Sequence, residues 1–284
     1  MSFFKKQVSL HGLRAYLSTG NRHVTKDAYV TGGEASVGRK GGNVVVPGSP
    51  STVALFEDFL ASDTGQYNGW TRVNSDVDTG ASNSVARQSM TNGVMRVSFQ
   101  GTPLNAPTGA VGLVQSHGGI KNWKPNQGRL HFAARVKLPS LASVNAFIGL
   151  SDSGGSEVPA YDTGGGVITQ AADAIGFMYS NLGSSSTNWQ GVSARSVAAD
   201  SGDQTVTSSV TPVANTYDVL EIYMGDSGEN ATFAINGSPI GRLTNPVEAK
   251  SALAPGVWVF GSDTGTIQVD VDWVAVSANR DTGT

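Results

Sequence analysis

The segment Tyr217–Leu243, YDVLEIYMGDSGENATFAINGSPIGRL, limits what this chain can fold into more than any other stretch. Leu220, Ile222 and Met224 alternate with Val219, Glu221 and Tyr223, the period of two that a half-buried strand requires. Turn residues follow from Gly225 to Asn230, and then Ala231, Phe233 and Ile235 alternate with Thr232 and Ala234. The run stops at Asn236-Gly237, a pair that tolerates positive φ at both positions and so suits a type I′ hairpin. Ile240 and Leu243 begin a third strand. The segment predicts an antiparallel meander.

The same period recurs along the chain. Leu130, Phe132, Ala134, Val136 and Leu138 alternate with Arg129, His131, Ala133, Arg135 and Lys137. Met95, Val97 and Phe99 alternate with Arg96 and Ser98 after Asn92-Gly93, a second hairpin signal. Ile267, Val269, Val271, Trp273 and Ala275 alternate with Gln268, Asp270, Asp272 and Val274, which predicts one inward face that includes Trp273. Shorter apolar runs lie at Val53–Leu60, Ala146–Leu150, Ala174–Tyr179 and Val257–Phe260. Residues 180–209 are rich in Ser, Gly and Thr and read as loop around Trp189. Ten or more short strands separated by turns predict an all-β, two-sheet antiparallel sandwich over residues 51–277. The apolar first and last strands suit pairing of the two ends in one sheet. Residues 278–284 read as a C-terminal tail.

Residues 1–50 differ. They lack sustained periodicity, carry Gly32-Gly33, Gly38 and Gly41-Gly42, and end in Pro47-Gly48-Ser49-Pro50, so they read as an extended arm with short strands and a linker. Seven Lys or Arg stand there against Asp27 and Glu34, a net of +5, which leaves −8 on the rest of a chain whose total is −3. A basic arm on an acidic body suits docking onto an acidic surface, and a solvated terminus reads equally well. The residues that would make such contacts are Lys5, Lys6, Leu10, Leu13, Arg14, Tyr16, Arg22, Lys26, Arg39 and Lys40. No apolar run near the N-terminus is long enough for a signal peptide or a membrane span, so no membrane partner is expected and synthesis in a cytoplasm is. With no cysteine, disulfides and cysteine-ligated metal are excluded.

Catalytic patterns are weak. Asp-Thr-Gly occurs at Asp63, Asp78, Asp162, Asp263 and Asp281, but the apolar lead-in of an aspartic protease strand is missing and Asp-initiated turns explain the repeats. Ser151-Asp152-Ser153-Gly154-Gly155 follows a strand end, and His11, His23, His117 and His131 lack the setting of a general base. Asp270 and Asp272 are the one regular carboxylate pair and read as solvated strand-face acids rather than glycosidase acids. No His pair has metal-ligand spacing; Asp162, Asp173, Asp200 and Asp203 are loop acids that could hold Ca²⁺ but need not. Neither a metal nor a cofactor is expected. Trp70, Trp258 and Trp273 read as core, whereas Trp123 and Trp189 lie in polar stretches and are the candidates for contact with a glycan.

Six segments together resemble the concanavalin A-like lectin/glucanase superfamily, the jelly-roll group that includes laminin-G-like modules. They are Leu55–Phe59, Gly128–Leu138, Phe147–Leu150, Ala174–Phe177, the Phe233–Gly237 hairpin and the ending Val271–Val276. The resemblance implies a jelly roll over about residues 53–277. The Glu-x-Asp-x-x-Glu strand of the family's glucanases is absent, as is the metal loop of the legume lectins. A cysteine-free jelly roll with an apolar, basic arm is similar in architecture to tailed-phage capsid decoration and fibre proteins. That likeness implies a non-enzymatic virion protein on the capsid exterior, a cement protein whose partners are the major capsid protein and further copies of itself rather than nucleic acid. The alternative it leaves is a carbohydrate-binding, lectin-like module for host adsorption.

Overall fold

A computed structural model describes residues 28–31, 34–39, 42–45, 52–59, 70–74, 84–88, 93–100, 110–115, 123–142, 144–153, 159–162, 167–169, 171–181, 187–195, 204–260 and 266–279. The strands in chain order begin with β1 (Ala28–Thr31), β2 (Glu34–Arg39), β3 (Gly42–Val45), β4 (Thr52–Glu57) and β5 (Trp70–Asn74). Next come β6 (Ser84–Arg87), β7 (Met95–Gln100), β8 (Ala110–Gln115), β9 (His131–Lys137) and β10 (Asn145–Ser151). After them lie β11 (Ala160–Asp162), β12 (Val167–Thr169), β13 (Ala174–Ser180), β14 (Gln190–Ala194) and β15 (Gln204–Thr207). The last five are β16 (Tyr217–Met224), β17 (Asn230–Ile235), β18 (Ser238–Thr244), β19 (Ala254–Phe260) and β20 (Thr266–Asn279). No α-helix occurs among the described residues.

Two antiparallel sheets carry the body. One runs β15-β14-β13-β10-β19-β8-β5, and the other runs β18-β17-β16-β9-β20-β7-β6, with β4 also paired to β20. The all-β two-sheet sandwich read from the periodicity is therefore the observed fold, and the first and last strands of the body do pair, Thr52 opposite Asn279. Strands β1, β2 and β3 form a separate three-stranded sheet within the arm, and β11 and β12 make a small hairpin. Strand β20 extends to Asn279, two residues past the expected end of the body.

The meander forms as the alternation requires. Leu220, Ile222 and Met224 of β16 and Ala231, Phe233 and Ile235 of β17 all enter the core between the sheets. Asn236 and Gly237 take φ of 52° and 78°, the left-handed pair of the expected hairpin turn. Strand β9 sends Phe132, Ala134 and Val136 inward, flanked by Leu130 and Leu138. Each large apolar side chain removed from water here stabilises the fold by about 1.5–3 kcal/mol. Phe233 of one sheet meets Phe177 of the other edge-on at 5.4 Å. Across the same gap, a Cβ on Gly191 of β14 would lie 2.7 Å from the Phe233 ring, so glycine is what lets the ring seat.

Two expectations fail for local reasons. The stretch 180–209, read as loop, contains β14 and β15, whose residues are too small and polar to show alternation. In β20 a bulge between Val271 and Trp273 inserts one residue against β9. A single extra residue reverses the alternation. Ile267, Val269 and Val271 point inward before it and Val274, Val276 and Ala278 after it. Trp273, expected in the core, is therefore half-buried on the outer face against Phe56.

Candidate functional site

Of the residues expected to contact a partner, Lys5, Lys6, Leu10, Leu13, Arg14, Tyr16, Arg22, Lys26 and Lys40 lie outside the described residues, and Arg39 ends β2. The two glycan candidates are corrected by their burial. Trp189 is 0% exposed and Trp123 is 4% exposed, so neither ring offers a face to a sugar. Trp123 exchanges backbone hydrogen bonds with Leu253. The carbonyl of Trp189 accepts from the Ser208 hydroxyl at 2.6 Å, and its indole stacks edge-on to Tyr179. Polar neighbours in sequence hid two core tryptophans.

The loop motifs remain loops. Ser151 Oγ accepts the Ser153 N–H at 2.9 Å, which closes a local turn, and His131 stands on the other sheet. Asp162 ends β11, and the other four Asp-Thr-Gly acids lie outside the described residues. Asp173 is buried and satisfied by the Glu248 N–H and the Ser251 hydroxyl. Among the described residues no three His, Asp or Glu side chains gather as metal ligands, and no helix is long and apolar enough to cross a membrane.

Polar side chains converge instead on the outer face of the eight-stranded sheet, over the adjacent strands β16, β9, β20 and β7. Asp270 sits opposite both Arg96 and Lys137 in register. It accepts Nε and Nη2 of Arg96 at 2.6 and 2.9 Å, and Lys137 Nζ lies 3.3 Å away. Asp270 is 2% exposed, so the reading of it as a solvated acid is corrected: it is a buried carboxylate between two cations. Its hydrogen bond holds the Arg96 guanidinium above its ordinary pKa. Asp272 in turn accepts from Arg135, whose guanidinium lies 4.1 Å from the centre of the Tyr217 ring. Burial, then the charges of Asp272 and Asp270, raise the Tyr217 phenol.

Further along the same face, His131 stacks on Tyr223 with centroids 4.4 Å apart and planes 8° from parallel. The two are direct cross-strand partners. Tyr223 donates its hydroxyl to Glu221 Oε1 at 2.6 Å. Burial raises the Glu221 pKa against that bond and one from the Gly237 backbone. Burial lowers His131 to about 4, and burial followed by the hydrogen bond to Glu221 raises Tyr223. Glu221 Oε2 and His131 Nε2 have no hydrogen-bond partner, although His131 Nε2 comes within 3.9 Å of Glu221 Oε1. The sequence marked these residues only as polar positions of two alternating strands; their meeting depends on register, which periodicity does not give.

The outer face of the seven-stranded sheet is different. Phe147, Trp258, Met178, Val192 and Val114 form a second buried apolar cluster there, joined by Ala160 of β11. Trp258 lies over Gly112 and Gly256, where a Cβ would come within 2.6 and 2.5 Å of its ring. Ala174, Gly176 and Met178 share the outward side of β13, and none is ionisable.

The fold has relatives of known structure at low identity. A glycoside hydrolase family 16 endo-glucanase from Bacteroides ovatus superposes with a TM-score of 0.51 at 14% identity, over 78% of this chain and 99% of its own. Peanut lectin superposes at 0.50 and 15% identity, over 81% of this chain and 99% of its own. The CBM2 module of the evolved Dit of Lactobacillus casei BL23 phage J-1 gives 0.49 at 15%, over 81% and 96%. No protein-family model and no curated protein matches the sequence. The jelly roll is thus of the concanavalin A-like kind, a fold shared by glucanases and lectins.

Proposed function

We propose that this concanavalin A-like chain is a non-enzymatic structural protein of a virion, a decoration or cement protein on the capsid exterior. In this reading residues 1–50 run along the shell and order on the major capsid protein, and the sandwich stands outward. The observation that carries the non-catalytic part is the state of the one regular carboxylate pair. Asp270 and Asp272 are each tied to cations of their own sheet, Asp270 to Arg96 and Lys137 and Asp272 to Arg135. A glycosidase pair needs one acid free to give a proton and one free to attack or activate water. The separation of a net +5 arm from a −8 body supports the docking part, since opposite charge steers an arm to an acidic surface. Repeated copies on a shell add avidity to a weak single contact.

The experiment is deletion of residues 2–48, followed by sedimentation with assembled particles and a copy-number measurement. The full chain co-sediments at a stoichiometry fixed by the shell, and the truncated chain stays in the supernatant. Equal binding by both sinks the arm as the anchor. Release of reducing sugar from a β-glucan by the purified chain would sink the non-enzymatic reading.

A further inference from the structure

The pairings of the arm sheet sort its residues by face. Ala28 opposes Val37, Val37 opposes Val44, and Val30 opposes Ala35. Alternation along each strand therefore places Ala28, Val30, Ala35, Val37 and Val44 on one face, with Arg39 and Gly42 at its turn end. The opposite face mixes Tyr29 and Val45 with Thr31, Glu34, Ser36 and Asn43. A three-stranded sheet this short holds together in water only when its apolar face is covered.

The body carries a matching surface beside the point where the arm joins it. Phe56 is 47% exposed and meets the half-buried Trp273 at 6.1 Å on the outer face of the eight-stranded sheet. Aromatic rings held open on a rigid sheet are contact surface. Among the described residues β4, which carries Phe56, pairs with β20 alone. The other exposed large apolar side chains are placed less well: Val213 lies in the connection between β15 and β16, and Tyr223 is tied to Glu221.

Position and charge select the occupant. Strand β3 ends at Val45 and β4 begins at Thr52, and the six residues between them span about 20 Å at most. Phe56 lies about 13 Å along β4 from Thr52, within that reach. Strand β3 also comes close to β20, the strand of Trp273. The net +5 of residues 1–50 faces −8 on the rest of the chain, an attraction that acts at low salt. A tether this short holds the arm at an effective concentration of about millimolar, so a second copy at micromolar concentration is outcompeted.

We propose that in the free protein the apolar face of the β1–β3 sheet docks on Phe56 and Trp273 of the same chain. The arm is then latched to its own body, and its apolar face is hidden from other copies. A consequence rests on the reading of the arm as the anchor: the shell must displace this contact, so the arm opens only where a competing surface is present.

The chain has no cysteine, so introduced pairs are read without background. Phe56→Cys is combined in turn with Val30→Cys, Val37→Cys or Val44→Cys, and in a second set with Thr31→Cys, Ser36→Cys or Asn43→Cys. The full chain at micromolar concentration is treated with a short bis-maleimide, whose reach matches the roughly 10 Å between packed sheets. At least one pair of the first set should link within the chain, exceeding linked dimers by about a hundredfold. The second set should link little. Circular dichroism confirms that each variant is folded, and Ala54→Cys, on the same face of β4, replaces Phe56→Cys if that variant is not. No link within the chain overturns the proposal. Equal yields from the two sets also overturn it, since they would mark a tethered arm with no preferred face. Dimers in place of internal links assign the face to a second copy and overturn it as well. No particle is present, so failure here leaves the arm deletion to be read on its own.

Discussion

The indole nitrogen of Trp189 donates to Asp218 Oδ2 at 2.9 Å inside the protein, and so ties the seven-stranded sheet to the eight-stranded one. The other oxygen of Asp218 accepts from Asn236, the first residue of the hairpin turn, at 2.9 Å. Asn236 Oδ1 in turn accepts the Val219 N–H. Trp189→Phe removes one donor and leaves a buried carboxylate short of a partner, at a cost of about 3 kcal/mol. Urea unfolding of the two proteins measures it. A loss below about 0.5 kcal/mol would mean that the bond is replaced by water.

Asp270→Asn makes the opposite kind of fault. It leaves Arg96 and Lys137 facing each other with the shared carboxylate gone, and breaking such a buried pair costs about 3 kcal/mol. The expected outcome in thermal unfolding is a lowered midpoint, and Arg96→Met, Lys137→Met and Asp270→Leu together recover much of the loss. A triple variant no better than the single one would show that packing, not charge, is what Asp270 supplies.

Gly149 is fixed by contact rather than by backbone angle. A Cβ there would stand 2.3 Å from the Ile175 carbonyl oxygen and 2.4 Å from the Gly176 Cα, both backbone atoms of the neighbouring strand. Gly149→Ala must therefore separate β10 from β13 and destabilises by about 3 kcal/mol or more. Gly225→Ala, whose nearest neighbour is 4.0 Å away, is the comparison and costs little. If the two melt alike, the close approach of β10 and β13 is not a constraint.

Acid should weaken the fold through His131. Its imidazole titrates near 6.5 when free and at about 4 in the protein. Between those values the unfolded chain holds the proton and the folded chain does not, so stability is full above 6.5 and falls as pH drops toward 4. The whole effect corresponds to about 3 kcal/mol, of which about 2 kcal/mol is lost by about pH 5. Glu221 acts in the other sense, because its raised pKa lets the folded state hold a proton that the unfolded chain has released. His131→Phe keeps the stack on Tyr223 and removes the imidazole. Its stability should fall by about 2 kcal/mol less than that of the wild type between about pH 7.5 and pH 5. Equal falls would mean that His131 is protonated in the fold, paired with Glu221.

The parts of this molecule legible in sequence are those where one face is apolar and one polar. Leu220 to Met224 and Phe132 to Val136 announced their inward sides, and Asn236-Gly237 announced its turn. Strand β14 did not, because Gly191 must be absent-sided for Phe233 and Ser193 contributes no apolar bulk, so no alternation survives. Trp273 faces outward because of a bulge that leaves no mark in the residue types around it. Trp123 and Trp189 are core despite their polar flanks, because neighbours in sequence are not neighbours in space. The meeting of Asp270 with Arg96 and Lys137, and of His131 with Tyr223, depends on which residues of β7, β20, β9 and β16 lie opposite which, a relation between strands far apart in the chain.

The pairing of Thr52 with Asn279 has a mechanical consequence. Antiparallel partners meet there at the same end, so the chain enters and leaves the body at a single point. A pull on both segments opens β4 from β20 like a zip, one rung at a time, whereas a pull on either against the far end of the sandwich loads all the rungs in shear.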